Sequence, residues 1–210
     1  MSTDNPPKKI IISAPDNLSL GKQVDYEFEY NPSLLQGVPR SLSRDTLNLN
    51  GNQLPFTGID TWTGYELSWL NPKGKPCVAI LECRVPITSE NLIESKSFKL
   101  YLNSFNQSQF SSDDEVKNVL QADLSACAGQ PVEVNLILPQ HFAELQFKEF
   151  EGVLLDELDI TVDEYSPNTQ YLTVDESHEE VKETLVSHLL KSNCLITSQP
   201  DWASIQIKYE

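Results

Sequence analysis

The 210-residue chain is long enough for one large domain or two small ones, with a core that needs no disulfide or metal staples. Lys and Arg number 15 against 31 Asp and Glu, a net charge of −16 that repels polyphosphates and argues against a direct nucleic-acid partner. The longest apolar run near the start, Ile10-Ile11-Ile12, is too short for a signal-peptide core or a bilayer span. The expectation is therefore a cytoplasmic protein without membrane contact, its thiols reduced.

Cys77, Cys83, Cys127 and Cys194 invite a metal or disulfide reading. Cys77 and Cys83 share a stretch of strand composition, and six residues at ~3.3 Å each hold them roughly 20 Å apart, too far for a common zinc or a disulfide. There is no C-x-x-C, and His141, His178 and His188 show no ligand spacing, so no metal is expected. The eight glycines never fall at dinucleotide-fingerprint or P-loop spacing.

In chain order, residues 1–60 read as an arm with loops and one alternating strand over 24–30. Trp62 to Leu70 and Cys77 to Val85 flank Asn71-Pro-Lys-Gly74, a hairpin signal. A helix is expected from about Glu90, capped by Thr88 or Ser89 and carrying Phe98, Tyr101, Leu102 and Phe105 at i, i+3, i+4, i+7. A second starts at the capping box Ser112-x-x-Glu115 and stops at Gly129. Val132, Val134, Leu136 and Leu138 alternate as a strand, and a fourth strand is expected within 147–155. This gives an α+β unit over 61–155, helices against one face of an antiparallel sheet. An acidic stretch, 156–180, reads as a linker. Residues 181–196 suit either a helix or a strand, whereas Ala203, Ile205, Ile207 and Tyr209 alternate as a strand after a Pro-Asp turn. If 181–210 form a hairpin, they mirror 62–86 as the opening half of a second unit, whose sheet edge needs a cover.

Three features carry chemistry, each beside a bland competitor. Glu94-Ser-Lys-Ser-Phe-Lys-Leu-Tyr101 packs a carboxylate, hydroxyls and two cations into two helical turns, or is an ordinary exposed helix face. Cys194 precedes a turn seven residues ahead of Asp201, or is an inert buried thiol. Trp202 beside Asp201 would wall that carboxyl with apolar surface and keep it protonated, or Asp201 only orders the turn.

The eight residues 94–101 match at every position the signature of the QueF family, and the resemblance extends to Ser33-Leu-Leu-Gln-Gly-Val-Pro-Arg-Ser-Leu42, Tyr65-Glu-Leu-Ser-Trp-Leu-Asn71, residues 91–106 and residues 185–197. The chain resembles the long form of these NADPH-dependent 7-cyano-7-deazaguanine reductases of the tRNA-queuosine pathway. The resemblance implies two tandem tunnelling-fold (T-fold) units, the second over 181–210 and incomplete, and turns the ambiguous segment toward strand. It further implies Cys194 as nucleophile, Asp201 as proton donor, Ile93, Glu94 and Ser95 as substrate contacts, and Ser95 with Lys96 as NADPH contacts. Long-form members continue past the position of Glu210 with further contacts to both ligands. The implied reaction runs through a covalent thioimide, consumes two NADPH per nitrile and needs no metal, in a homodimer or higher homo-oligomer. A thioimide offers a protonatable C=N bond where a nitrile carbon is a poor hydride acceptor, so covalent addition divides a hard step. The rival expectation is a catalytically silent T-fold module that binds a purine or pterin, or serves only in assembly.

Overall fold

The computed structural model describes residues 26–49, 54–166, 168–173, 177, 180–194 and 198–210. It divides into two compact units, residues 1–145 and 146–210.

In the first unit, β1 (Gly37–Pro39) and the four-residue helix α1 (Ser41–Arg44) lead to a long hairpin, β2 (Ile59–Leu70) and β3 (Pro76–Pro86). β4 (Asn91–Ile93) runs into α2 (Ser95–Ser104), followed by α3 (Asp113–Ala128) and β5 (Glu133–Ile137). The main sheet is antiparallel in the order β2-β3-β5, and β1 pairs with β4 in a small sheet of its own. The hairpin forms as the sequence expects: Asn71 Oδ1 accepts the amides of Lys73 and Lys75, and Gly74 takes the positive φ that the turn requires. α3 also follows its sequence signals, with Ser112 Oγ accepting the Glu115 amide and Gly129 (φ +74°) as a left-handed C-cap. The Glu115 carboxylate, however, reaches Ser111 rather than closing a box on Ser112.

Two expectations need correction here. Residues 26–30 form no strand, and residues 24 and 25 of that expected strand lie outside the described residues. The acidic alternation there is overridden because the segment lies along α2: the Tyr30 amide donates to Ser108 Oγ and the Asn31 amide to Ser104 Oγ. The helix expected from Glu90 starts at Ser95, because Asn91–Ile93 pair with β1 and so cannot be helical.

A bulge sets the faces of the hairpin. Gly64 pairs with Leu81 and Leu67 with Ala79, so Tyr65 and Glu66 together oppose the single residue Ile80. In an uninterrupted β2 the face carrying Trp62 and Gly64 would continue through Glu66 and Ser68. The extra residue hands that face to Leu67 and Trp69, which with Ala79, Leu81, Cys83 and Val85 pack on Phe98, Tyr101, Leu102, Val116, Leu120 and Leu124. Gly64 permits the close approach of α2, since a Cβ there would stand 3.1 Å from Leu102 Cδ1.

At the centre, Asp123 Oδ2 accepts from both Tyr30 Oη (2.6 Å) and Tyr101 Oη (2.7 Å), tying the arm to both helices. The rings of Tyr30, Tyr101 and Phe105 meet edge to face, and Phe105 stacks on Phe110 at 5.3 Å.

The second unit contains β6 (Val153–Leu154), β7 (Glu183–Asn193) and β8 (Pro200–Tyr209) in the order β6-β7-β8. Residues 183–193 are strand, the outcome that family resemblance favoured over periodicity. The strand expected within 147–155 exists as β6, but it pairs in parallel with β7 and not with the first sheet. Residues 155–157 form a single 3-10 turn, whose Asp156 carboxylate accepts from Ser187 Oγ and the His188 amide; the Ser187 hydroxyl is the main cause that holds the carboxyl below its ordinary range. β7 carries the same bulge as β2: Ser187 pairs with Ile205 and Leu190 with Ala203, leaving His188 and Leu189 opposite Ser204.

Burial, then hydrogen bonding to Asp123, pushes the phenols of Tyr30 and Tyr101 well above their ordinary value of 10.0. A raised folded pKa stabilises the protein fully below the unfolded value and loses that contribution as pH rises through 10 toward the folded values. Denaturant unfolding followed from pH 8 to 11 should show stability falling steeply above pH 10, and Tyr101→Phe should flatten that fall. A slope unchanged by the substitution contradicts this assignment.

Candidate functional site

The signature segment sits at the junction of β4 and α2, and Glu94 is its pivot. Glu94 is the N-cap of α2: Oε1 accepts the Lys96 amide at 2.9 Å and Oε2 the Ser97 amide at 2.7 Å. Glutamate is not a favoured cap, since Ser, Thr, Asp and Asn reach the same amides with less side-chain entropy to lose. Here the longer side chain is held in a buried position, 6 % exposed, because the chain N-terminal to β1 straps over it. The Glu94 amide donates to the Gln36 carbonyl, and the Gln36 amide to Ser97 Oγ. A carboxylate accepts hydrogen bonds on both oxygens and donates none. Such an acceptor suits the amino and ring N–H groups of a guanine-like base.

The neighbours of Glu94 divide by side. Ile93 is buried in the core, so any contact it makes with a ligand comes from its main chain. Ser95 is exposed and Lys96 half-buried. The bulge of β2 and the first turns of α2 enclose a groove of about 410 Å³, walled by Trp62, Tyr65, Phe98 and Leu102. Ser95, Lys99 and Asn103 at its rim are shared with a hollow of about 430 Å³ that includes Lys96. Because Glu94 already occupies the amides of Lys96 and Ser97, a phosphate brought to this helix end is met by the lysine side chains and not by the helix N–H groups. On those terms Ser95, Lys96 and Lys99 fit a phosphorylated cofactor. Among the described residues no group of three or more His, Cys, Asp or Glu could hold a metal ion.

Sequence reasoning named Ile93, Glu94, Ser95 and Lys96 as ligand contacts and did not see the groove beside them. Its one legible trace was the slip in apolar parity, from Trp62 to Leu67 and Trp69, around Gly64.

Cys194 and Asp201 lie in the second unit, at the turn end of the β7–β8 hairpin. Asp201 pairs with Ser192, two residues before Cys194. The Cys194 amide donates to the Gln199 carbonyl, and its own carbonyl accepts from Ser198, which adopts a left-handed φ of +56°. The apolar wall expected from Trp202 is not there: Asp201 is exposed, and Trp202 is 61 % exposed, with Lys191 Nζ 5.7 Å from its ring centroid. Adjacent strand residues point to opposite faces, so Trp202 cannot cover its neighbour. Burial pushes Cys83 up to about 12 and raises Cys127, which makes both poor nucleophiles.

The cap generates a direct expectation. Glu94→Gln leaves one carbonyl oxygen where two carboxylate oxygens accepted, so it should cost about 1 kcal/mol in stability while the chain stays folded. Chemical denaturation measures it, and parental stability would mean that the cap carries no weight.

The four segments that resembled the QueF family can now be placed. Residues 33–42 pair through β1 with β4, the signature begins α2, and Tyr65 and Glu66 of the 65–71 segment line the groove beside it, all within the first unit. Residues 185–194 belong to the second unit, and 195–197 lie outside the described residues. A family model described as nitrile reductase, 7-cyano-7-deazaguanine-reductase N-term matches residues 26–136, which takes in residues 26–60 of the arm, α1 to α3 and nearly all of the main sheet but neither Cys194 nor Asp201. With more than half its length matched, the chain belongs to the QueF family of nitrile reductases.

Proposed function

We propose that the chain reduces the nitrile of 7-cyano-7-deazaguanine to 7-aminomethyl-7-deazaguanine with NADPH, as an NADPH-dependent oxidoreductase of queuosine biosynthesis built from T-fold units. The observation that carries this reading is the Glu94 carboxylate, buried and fixed by two backbone amides at the head of the matched signature. Glu94 accepts hydrogen bonds from the deazaguanine, flanked by Ile93 and Ser95, and a site built around such an acceptor rejects analogues that lack the N–H donors. The Cys194 thiolate adds to the nitrile carbon, forming a C–S bond and leaving the nitrogen as the site of negative charge. Asp201 gives that nitrogen a proton, so the product of addition is a neutral thioimide. Ser95 and Lys96 would hold NADPH, which when bound supplies the two hydrides; the C–S bond breaks between them and Cys194 leaves as the thiolate, so that the product is released as the free amine. The protein works in the cytoplasm as a homodimer or higher homo-oligomer, without a direct nucleic-acid partner. No helix among the described residues is long and apolar enough to cross a membrane.

Intact-protein mass spectrometry after incubation with 7-cyano-7-deazaguanine tests the reading: a gain of one ligand mass is expected. The gain should vanish in Cys194→Ala and persist when Cys77, Cys83 or Cys127 is replaced by Ala. An adduct that survives in Cys194→Ala overturns the nucleophile, and no adduct on the parent leaves the chain as a silent binding module. For Asp201→Asn, turnover should fall about 10²- to 10⁴-fold, the usual worth of a positioned acid. Unchanged turnover would reduce Asp201 to a turn residue.

A further inference from the structure

The groove along the β2 bulge has a composition that the reaction at Cys194 does not explain. Its walls are aromatic, Trp62, Tyr65 and Phe98, with Phe98 held edge to face against Trp62 at 5.7 Å. Its rim opens into the hollow where Lys96 and Lys99 stand three residues apart on one face of α2. A groove with aromatic walls sharing its rim with a two-lysine hollow, on a chain of net charge −16, suits a ligand with a planar neutral ring at one end and a phosphate close by. Tyr65 is in the bulge and 65 % exposed, free of core duty, so its ring is available to stack.

Resting on the reading of the chain as an NADPH-dependent reductase, we propose that this groove holds the adenosine half of the cofactor, its adenine ring against Tyr65 and Trp62 and its phosphate on Lys96 and Lys99. Adenine fits better than nicotinamide, because the oxidised nicotinamide ring is a cation and is repelled by Lys99, whereas adenine stays neutral in both redox states. Glu66, the other bulge residue, is a built-in competitor. Its Oε2 lies 2.8 Å from Lys99 Nζ, with both side chains exposed, and the ion pair holds the Glu66 carboxyl below its ordinary range. An exposed pair of this kind is worth little, so a dianionic phosphate displaces Glu66 from Lys99 where a weaker anion does not.

The test is calorimetric titration of the full chain with adenosine 2′,5′-bisphosphate and, separately, with nicotinamide mononucleotide. Tyr65, Glu66 and Lys99 are exposed, and circular dichroism checks that the variants stay folded. Tyr65→Ala should weaken the bisphosphate roughly tenfold, within the usual worth of stacking one base on an aromatic side chain. Lys99→Ala should weaken it too, and by less at high salt. Glu66→Gln should tighten it by about two- to fivefold, as expected for the loss of one exposed competing charge. Nicotinamide mononucleotide, whose own phosphate can also reach the lysines, should be unaffected by Tyr65→Ala. Bisphosphate affinity unchanged in both Tyr65→Ala and Lys99→Ala, no bisphosphate binding by the parent at millimolar concentration, or a loss that falls on the mononucleotide instead would each overturn the assignment. The Cys194 adduct separates the two failures. If it forms while the groove variants bind as the parent does, only the groove assignment falls; if the parent forms no adduct, the reductase reading falls first.

Discussion

One extra residue in β2 governs the first unit. Opposing Tyr65 and Glu66 to the single residue Ile80 lets Trp62 and Gly64, then Leu67 and Trp69, share one face despite their unequal spacing. That face is the floor on which α2 and α3 bury Phe98, Tyr101, Leu102, Leu120 and Leu124. The bulge also turns Tyr65 and Glu66 to line the groove beside α2. Core and groove are thus two results of one irregularity, which is the role bulges commonly have near functional sites.

The second constraint is the cap at Glu94. A buried carboxylate is costly unless hydrogen-bonded, and here the helix end supplies two amides while the Gln36 main chain, in the strap formed by 31–40, holds the Glu94 amide and the Ser97 hydroxyl in place. The strap is itself fixed by Tyr30 on Asp123 and by the buried Arg40, which donates to Ser89 Oγ and pairs with Asp60. The geometry of the signature therefore depends on residues distant in sequence. The same hairpin design recurs in the second unit: His188 and Leu189 of β7 oppose Ser204 as Tyr65 and Glu66 oppose Ile80. Counting from the bulges, Cys194 falls where the first hairpin has the turn-forming Asn71, and Asp201 where it has Cys77. The two hairpins share a frame and carry different chemistry on it.

Much of this was legible in sequence because local signals agreed with the fold. The Asn71 to Gly74 turn, the Ser112 cap and the Gly129 stop are each decided by a few neighbouring residues. What was not legible depended on distant partners. The start of α2 moved from about 90 to 95 because 91–93 pair with residues more than fifty positions earlier. The alternation before Tyr30 gave way to hydrogen bonds with Ser104 and Ser108. Of the site, Glu94 to Lys96 could be named from the signature, but periodicity alone could not show that Glu94 caps the helix or that Tyr65 faces Ser95 across a groove. The role expected of Trp202 failed on simple strand geometry.

The central claim, that the β2 bulge is kept for the groove it builds, is tested most directly by removing one bulge residue. Without Glu66 the strand becomes a regular partner of β3, and Trp62, Gly64, Leu67 and Trp69 still share their face. The variant should melt cooperatively at or above the parental temperature, since the ladder is repaired, and should lose measurable affinity for adenosine 2′,5′-bisphosphate. Parental affinity in the folded deletion variant, or failure of that variant to fold, would contradict the account.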